Sequence, residues 1–423
     1  MNVKRLSAWL LTATIVLVVG CETSSQTEDG VRAVEANAAV HHTYPMLDSL
    51  VIEYEDEVVL PGTEPGDLYS FVDTEGERSA RKVTGVYTNN EARVRDDGTS
   101  IPGKYVIVQL DRIANPLPQS SKAWAPESTA GRAVLSTGSH SEFRMDYSGI
   151  EIRQKFDAVD ANDSVIQPAG VLPDLQRENV HWPDFQGFSL DNVLSGEQVD
   201  IHYSYYLPPD YDPSRRYPMV VTLPGYGGLL HSLGDETRGV NVFTDRSALA
   251  WTQASEDVIV LAPQLTGWDA ASARQAIELT DYFLDRYSVD PERVYALGYS
   301  AGGETMSRVL NMRAELFAAY VHSSSQWNGS YDDVVKNRLP VYIFMAQNDE
   351  YYGPQKARDA YEALATRYAS DGLTRKEIER LAVLDMPDDM YFNRRGIYSY
   401  HGGGMVVADK QQIIDWVLDQ RKR

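Results

Sequence analysis

The run Gly298-Tyr299-Ser300-Ala301-Gly302 places a serine two residues from a glycine on either side. It follows the apolar stretch Val294-Tyr295-Ala296-Leu297 and precedes residues 304–313, which read as a helix. A strand that turns sharply into a helix lifts such a serine onto an elbow with its hydroxyl exposed above a sheet. The flanking glycines fit because side chains there would collide with neighbouring backbone. The helix N-terminus behind the serine favours a developing oxyanion. The chemistry this suggests is nucleophilic acyl transfer, for which a serine needs a base to take its proton.

In strand–elbow–helix sites of this kind the acid and then the histidine follow the serine in chain order. Two histidines lie beyond Ser300, His322 and His401. His401 sits in Tyr398-Ser399-Tyr400-His401-Gly402-Gly403-Gly404, which reads as a short strand running into a glycine loop before the last helix. His322 ends Ala318-Ala319-Tyr320-Val321-His322, a core strand in which a structural histidine is expected. His401 is therefore the expected base. Val341-Tyr342-Ile343-Phe344-Met345 reads as a buried parallel strand and leads to Asp349 at its carboxyl end, where such sheets place their chemistry. Asp349 would hold the histidine tautomer and stabilise the imidazolium. The long interval to His401 leaves Asp385, Asp388 and Asp389 open as alternative acids.

An oxyanion hole needs two backbone N–H donors. Ala301, just after the serine, is one. The strand Tyr217-Pro218-Met219-Val220-Val221-Thr222-Leu223 opens into Pro224-Gly225-Tyr226-Gly227-Gly228, and the Tyr226 amide is the second. Tyr226, Trp268, Trp327, Tyr351 and Tyr352 follow expected strands at the catalytic end and are candidates for an aromatic substrate-binding cleft. This chemistry requires neither a metal nor an organic cofactor.

The elements that would position these residues divide the chain. Beyond residue 190 strands alternate with helices, the pattern of a mainly parallel sheet flanked by helices. Between residues 45 and 172 short alternating runs predominate: Leu50-Val51-Ile52-Glu53-Tyr54, Val83-Thr84-Gly85-Val86-Tyr87-Thr88, Tyr105-Val106-Ile107-Val108-Gln109-Leu110 and Ile150-Glu151-Ile152-Arg153-Gln154-Lys155-Phe156. Turn residues separate them, which fits an antiparallel β-sandwich. Residues 173–190, with Pro173 and Pro183, read as a linker. A charged helical stretch is expected over residues 374–384.

At these residues the chain resembles an α/β-hydrolase, and residues 45–423 resemble bacterial esterases and predicted peptidases with an N-terminal immunoglobulin-like domain. Residues 83–110 are similar to that domain's Val-Tyr-Thr-Asn and Gly-Lys-Tyr-Val-Ile-Val segments. Tyr206-Leu207-Pro208-Pro209-Asp210-Tyr211, Tyr217-Pro218 and Leu261-Ala262-Pro263-Gln264 resemble stretches around the hydrolase's first strands. The resemblance implies Ser300, Asp349 and His401 as nucleophile, acid and base. It departs at Pro224-Gly225, where relatives commonly carry His-Gly.

Lys4 and Arg5 precede the uncharged, largely apolar residues 6–20, a run too short to span a bilayer and suited to a secretory signal. Val18, Gly20 and Cys21 resemble a bacterial lipoprotein signal, which implies cleavage before Cys21, lipidation of its thiol and a place in the cell envelope. An uncleaved membrane anchor is the alternative. Residues 21–44, mostly Ser, Thr, Gln, Glu, Asp and Ala up to residue 40, read as a flexible tether. Cys21 is the one cysteine of 423 residues, so the domains beyond it hold no thiol nucleophile and no disulfide. A net charge of −22 argues against nucleic acid as a partner.

The resulting expectation is an extracytoplasmic, lipid-anchored serine hydrolase acting on a small ester. A peptidase of the same mechanism and a surface binding protein with a vestigial hydrolase domain are the alternatives.

Overall fold

The computed structural model describes residues 30–41, 44–73, 78–95, 97–111, 133–135, 143–145, 150–196, 200–226, 240–243, 246–395, 397 and 399–422. The signal sequence and Cys21 lie outside them.

Two sheets face each other in the N-terminal region. One contains, in spatial order, Val180–His181, Val31–His41, Tyr44–Tyr54, Tyr105–Leu110 and Val83–Asn89. The other contains Gly170–Val171, Ile150–Gln154, Tyr69–Asp73 and Arg78–Arg81. Alternation puts Val34, Ala36, Ala38, Leu50, Ile52, Val106 and Val108 of the first sheet against Tyr69, Phe71 and Ile152 of the second, in one buried core. The hydroxyls of Tyr54 and Tyr69 meet at 2.7 Å inside it, and Tyr54 also donates to the side-chain amide oxygen of Gln154. These polar atoms join the two layers without leaving a buried donor unmet.

The tether assigned to residues 21–44 is corrected here. Val31–His41 is a full strand, paired antiparallel with Tyr44–Tyr54 over its length. Its composition lacks aromatics, but Val34, Ala36, Ala38 and Val40 recur at every second position and are buried. Small side chains suffice at a position covered on both sides by other strands. The linker reading of residues 173–190 is also revised. Val180 and His181 pair in parallel with Ala36 and Asn37, and Trp182, Phe185 and Phe188 then form an edge-on aromatic run that ends on Tyr206.

The C-terminal region is built on one eight-stranded sheet. Its strands are β1 (Phe188–Ser195), β2 (Asp200–Tyr206), β3 (Tyr217–Leu223), β4 (Ile259–Gln264), β5 (Val289–Tyr299), β6 (Ala319–Ser323), β7 (Val341–Phe344) and β8 (Ala382–Asp385). The spatial order is β1-β2-β4-β3-β5-β6-β7-β8, with β2 antiparallel to both neighbours and the rest parallel. β3, β4, β6 and β7 are buried at every residue, because helices cover both faces and the strands are apolar runs. The main flanking helices are α1 (Ala270–Arg286), α2 (Ala301–Arg313), α3 (Gln355–Ser370), α4 (Arg375–Leu381) and α5 (Gln411–Leu418).

The helix expected over residues 374–384 is shorter than its composition suggests. Thr374 and Glu377 form a reciprocal capping box at its start, and Ala382 then turns the chain into edge strand β8 beside β7. Ile378 and Leu381 bury one face of α4, whereas Ala382, Val383 and Leu384 follow strand spacing.

From β3 the chain passes to β4 on one side and then to β5 on the other. A ligand crevice belongs at the carboxyl ends of the two strands flanking such a reversal. Register brings these ends level: Leu223 pairs with Gly298, Tyr299 with Ser323, and Ser323 with Phe344.

The strand assignment of residues 31–41 makes a direct prediction. Ala36→Asp puts an unpaired charge at a fully buried position and should lower stability by roughly 3 kcal/mol or more. Arg32→Ala, on the exposed side of the same strand, should stay within about 0.5 kcal/mol. Urea unfolding of both variants measures this, and equal, negligible losses would restore the tether.

Candidate active site

Ser300 stands between β5 and α2 with φ 51° and ψ −121°, a left-handed backbone conformation that non-glycine residues rarely adopt. Its amide donates to the Ser323 carbonyl at 3.0 Å, and its carbonyl accepts the Ser325 hydroxyl at 2.6 Å. The turn is this sharp because the strand end and the helix start touch their neighbours through backbone. A Cβ at Gly302 would lie 2.2 Å from the Leu223 carbonyl oxygen. One at Gly225 would lie 2.6 Å from the Tyr299 ring and 3.4 Å from Ser300 Cβ, so the loop after β3 runs directly over the elbow.

The Ser300 hydroxyl lies 3.0 Å from His401 Nε2, and His401 Nδ1 lies 3.0 Å from Asp349 Oδ2. All three residues are buried. The other Asp349 oxygen accepts the amides of Tyr351 at 3.0 Å, Tyr352 at 2.8 Å and Gly353 at 3.3 Å. Burial alone would raise the Asp349 carboxyl. Its hydrogen bond and charge interaction with His401, joined by the Tyr352 and Tyr351 amides, bring it below the usual carboxylate value. A carboxylate held ionised in this way fixes the imidazole with Nδ1–H toward the acid and Nε2 free to accept the serine proton.

Tyr400 and His401 form a turn, and Gly402–Asp409 is a run of tight helical turns, which corrects the short strand expected there. Glu350 explains the difference. Its carboxylate takes the His401 amide at 3.0 Å and the Ser399 hydroxyl at 2.7 Å, which holds this segment in a turn beside the acid loop. The alternative acids are engaged elsewhere: Asp385 with Tyr342 and Lys410, Asp388 as the cap of the helix Asp389–Asn393, and Asp389 with Asn348 at 2.9 Å.

Of the proposed oxyanion donors, Ala301 is the first residue of α2, where amides point out of the helix. Tyr226 follows Gly225, which packs against Ser300. Rings of Tyr226 and Trp268 meet edge to face at 5.5 Å, and both are well exposed. Trp268 is set there by its neighbour Asp269, the N-cap of α1. On the other side Tyr351, 69% exposed, lies 4.9 Å from the His401 ring, and Tyr352 lies 5.4 Å from it. Trp327 stands apart from this pattern. Its ring stacks on Tyr331 at 4.7 Å and abuts Tyr320 and His322, so its faces are occupied by protein.

His322 is fully buried in β6, its Nδ1 2.6 Å from the Tyr320 hydroxyl. Burial, partly offset by the Ser325 backbone, lowers its pKa to about 4. The sequence singled out neither Glu350 nor Glu304, the buried carboxylate four residues past the serine. An acid beside the expected catalytic Asp, and one in the first turn of a helix that must lie against the sheet, were the available signals.

Two family models match the chain: the esterase Ig-like N-terminal domain over residues 38–167 and the prolyl oligopeptidase family over residues 266–375. The solved structure of a thermostable esterase is similar over 93% of this chain and all of its own, with a TM-score of 0.70 and 22% identity. Dipeptidyl aminopeptidase A of Saccharomyces cerevisiae is 28% identical over 185 residues, 38% of this chain. The chain spans only 19% of that relative.

Buried His322 and Asp349 both link stability to acid. Below the ordinary histidine value of 6.5 the unfolded chain binds a proton that folded His322 refuses until about pH 4. Its contribution is thus complete above pH 6.5 and falls by roughly 3 kcal/mol toward pH 4, at ~1.4 kcal/mol per pH unit. Asp349, with its pKa depressed, loses its own contribution at still lower pH. Chemical denaturation between pH 7 and 4 should show a steep loss that is shallower in His322→Leu, a variant in which Tyr320 still donates to Gly303.

Proposed function

We propose that this serine hydrolase, an α/β-hydrolase with an N-terminal immunoglobulin-like domain, is a carboxylic ester hydrolase that works through an acyl-enzyme. The observation that carries the reading is the unbroken hydrogen-bonded line Ser300–His401–Asp349, buried at the switch point of the sheet.

In this reading Ser300 Oγ attacks the carbonyl carbon as His401 Nε2 takes its proton. Asp349 orients the ring and stabilises the imidazolium. The tetrahedral oxyanion sits on the Ala301 and Tyr226 amides. His401 then protonates the leaving alcohol, and the acyl-enzyme forms. Water, deprotonated by the same histidine, attacks the acyl carbon and releases the acid and Ser300. Tyr226, Trp268, Tyr351 and Tyr352 wall the cleft with aromatic surface, while Trp327 supplies packing behind it.

The esterase Ig-like match favours ester over peptide substrates. Peptide cleavage is the second reading, favoured by the prolyl oligopeptidase match, which spans both Ser300 and Asp349. We further propose export of the chain and attachment to a membrane through lipid on Cys21.

Short-chain nitrophenyl esters should be turned over far faster than aminoacyl nitroanilides; the opposite order selects the peptidase. Ser300→Ala and His401→Ala should each lower kcat/KM by about 10⁴-fold or more, and Asp349→Asn by about 10⁴-fold. A fluorophosphonate should label the native protein and leave Ser300→Ala unlabelled. A native protein that takes no label would be the vestigial binding form.

The anchor has its own test. Full-length protein expressed in a bacterium should incorporate radiolabelled palmitate and fractionate with membranes, and Cys21→Ser should abolish the label. Palmitate-free native protein would refute the lipid attachment.

A further inference from the structure

Glu304 lies one helical turn beyond Ser300 and on the same side of α2, since residues four apart share a face. It is more than nine-tenths buried. Its hydrogen-bond partners among the described residues are neutral donors from the loops after β6 and β7. One carboxylate oxygen accepts the Tyr352 hydroxyl and the Gln326 amide at 3.2 Å, and the other accepts the Asn328 amide. Taking a carboxylate out of water against neutral partners is expensive, and this one is placed beside the nucleophile.

The direction of the protons follows from the chemistry. A carboxylate can only accept, so the Tyr352 hydroxyl hydrogen points at Glu304. Burial, with the Glu304 hydrogen bond and charge, pushes the Tyr352 phenol up, so it keeps that proton. The Tyr352 ring lies 5.4 Å from the His401 ring, which puts the phenol beside the Ser300–His401 pair. Its remaining lone pairs are what the phenol can offer to a group bound at the serine. A substrate group seated there must therefore bring its own hydrogen.

We propose that Glu304 fixes Tyr352 as a hydrogen-bond acceptor in the acyl pocket, so that the enzyme selects acyl groups carrying a hydroxyl or amino donor within two carbons of the scissile carbonyl. This rests on the ester-hydrolase reading and names its substrate class. Tyr352 contacts the substrate, and Glu304 is a positioning residue that acts through it. An acyl group without a donor desolvates the phenol oxygen and leaves it unpaired, which is the source of discrimination.

The test compares kcat/KM, by pH-stat, for methyl butanoate and its 2-hydroxy, 3-hydroxy, 3-amino and 3-methoxy derivatives. The native protein should favour at least one donor-bearing ester over butanoate by about tenfold or more, and the methoxy ester, similar in shape to the hydroxy ester but without a donor, should gain nothing. Whichever donor gives the largest ratio identifies the substrate chemistry. In Glu304→Gln the amide can donate to the phenol oxygen and free the phenol hydrogen, so the hydroxy-to-methoxy ratio should fall severalfold or invert. In Tyr352→Phe it should fall toward one. Ratios are taken on protein titrated with fluorophosphonate, so only folded sites are counted; if Glu304→Gln takes no label, the native ratios and Tyr352→Phe decide. Equal rates for hydroxy and methoxy esters, or ratios unchanged in the variants, overturn the proposal alone. No turnover of any ester overturns the ester-hydrolase reading itself.

Discussion

The site depends on one backbone conformation. Ser300 is held at positive φ, at a cost of order 1–3 kcal/mol for a residue with a side chain. The strand pairing around it sustains that strain. β6 takes the Ser300 amide, Ser325 caps its carbonyl, and Gly302 and Gly225 let the β3 loop press against both sides of the turn. Relaxing the turn would mean separating the ends of β3, β5 and β6, each buried in the centre of the sheet. The hydroxyl, the first amides of α2 and the loop carrying Tyr226 are thereby fixed together. The pre-organisation comes from packing that exists before any ligand arrives.

Around that point the loops at the ends of β6 and β7 are tied by carboxylates with different tasks. Asp349 gathers three successive amides of its own loop and holds the histidine. Glu350 fastens the segment carrying that histidine from the main-chain side. Glu304 joins α2 to the loops that follow β6 and β7. Three acidic residues in one small volume are tolerated because each is matched by donors and not by another acid. This differs from the surface acids that give the chain its net charge of −22, which are mostly solvated.

Much of this was legible in the sequence, for physical reasons that differ by element. β3, β6 and β7 stood out because strands covered on both faces must be uninterrupted apolar runs. Ser300, Asp349 and His401, which do meet in space, were marked by chain order and by their positions at strand ends. The strand Val31–His41 was missed because an alternation of valine and alanine has the composition of a linker until its neighbours are known. The helix–strand boundary at Ala382 was missed because one residue's change of periodicity is invisible among charged neighbours. Glu350 and Glu304 act through partners more than twenty residues away, a kind of information that local pattern does not carry.

The pairing of Val180 and His181 with Ala36 and Asn37 bears on where the first domain ends. A chain segment that leaves a sandwich ordinarily marks its boundary, yet here the departing segment returns to lie against the entering strand. Val40, at the end of that strand, packs with Phe185 and Tyr206, and its carbonyl accepts from Arg246. The family match over residues 38–167 therefore stops inside the entering strand and short of the segment that pairs with it. An excision at residue 38 would cut through a strand and strip Leu50 and Ile52 of their ladder partners Ala36 and Val34, leaving a bare backbone edge. Entry and exit are sewn together, so force applied at the N-terminus is borne in shear by backbone hydrogen bonds along the strand before it reaches the catalytic sheet.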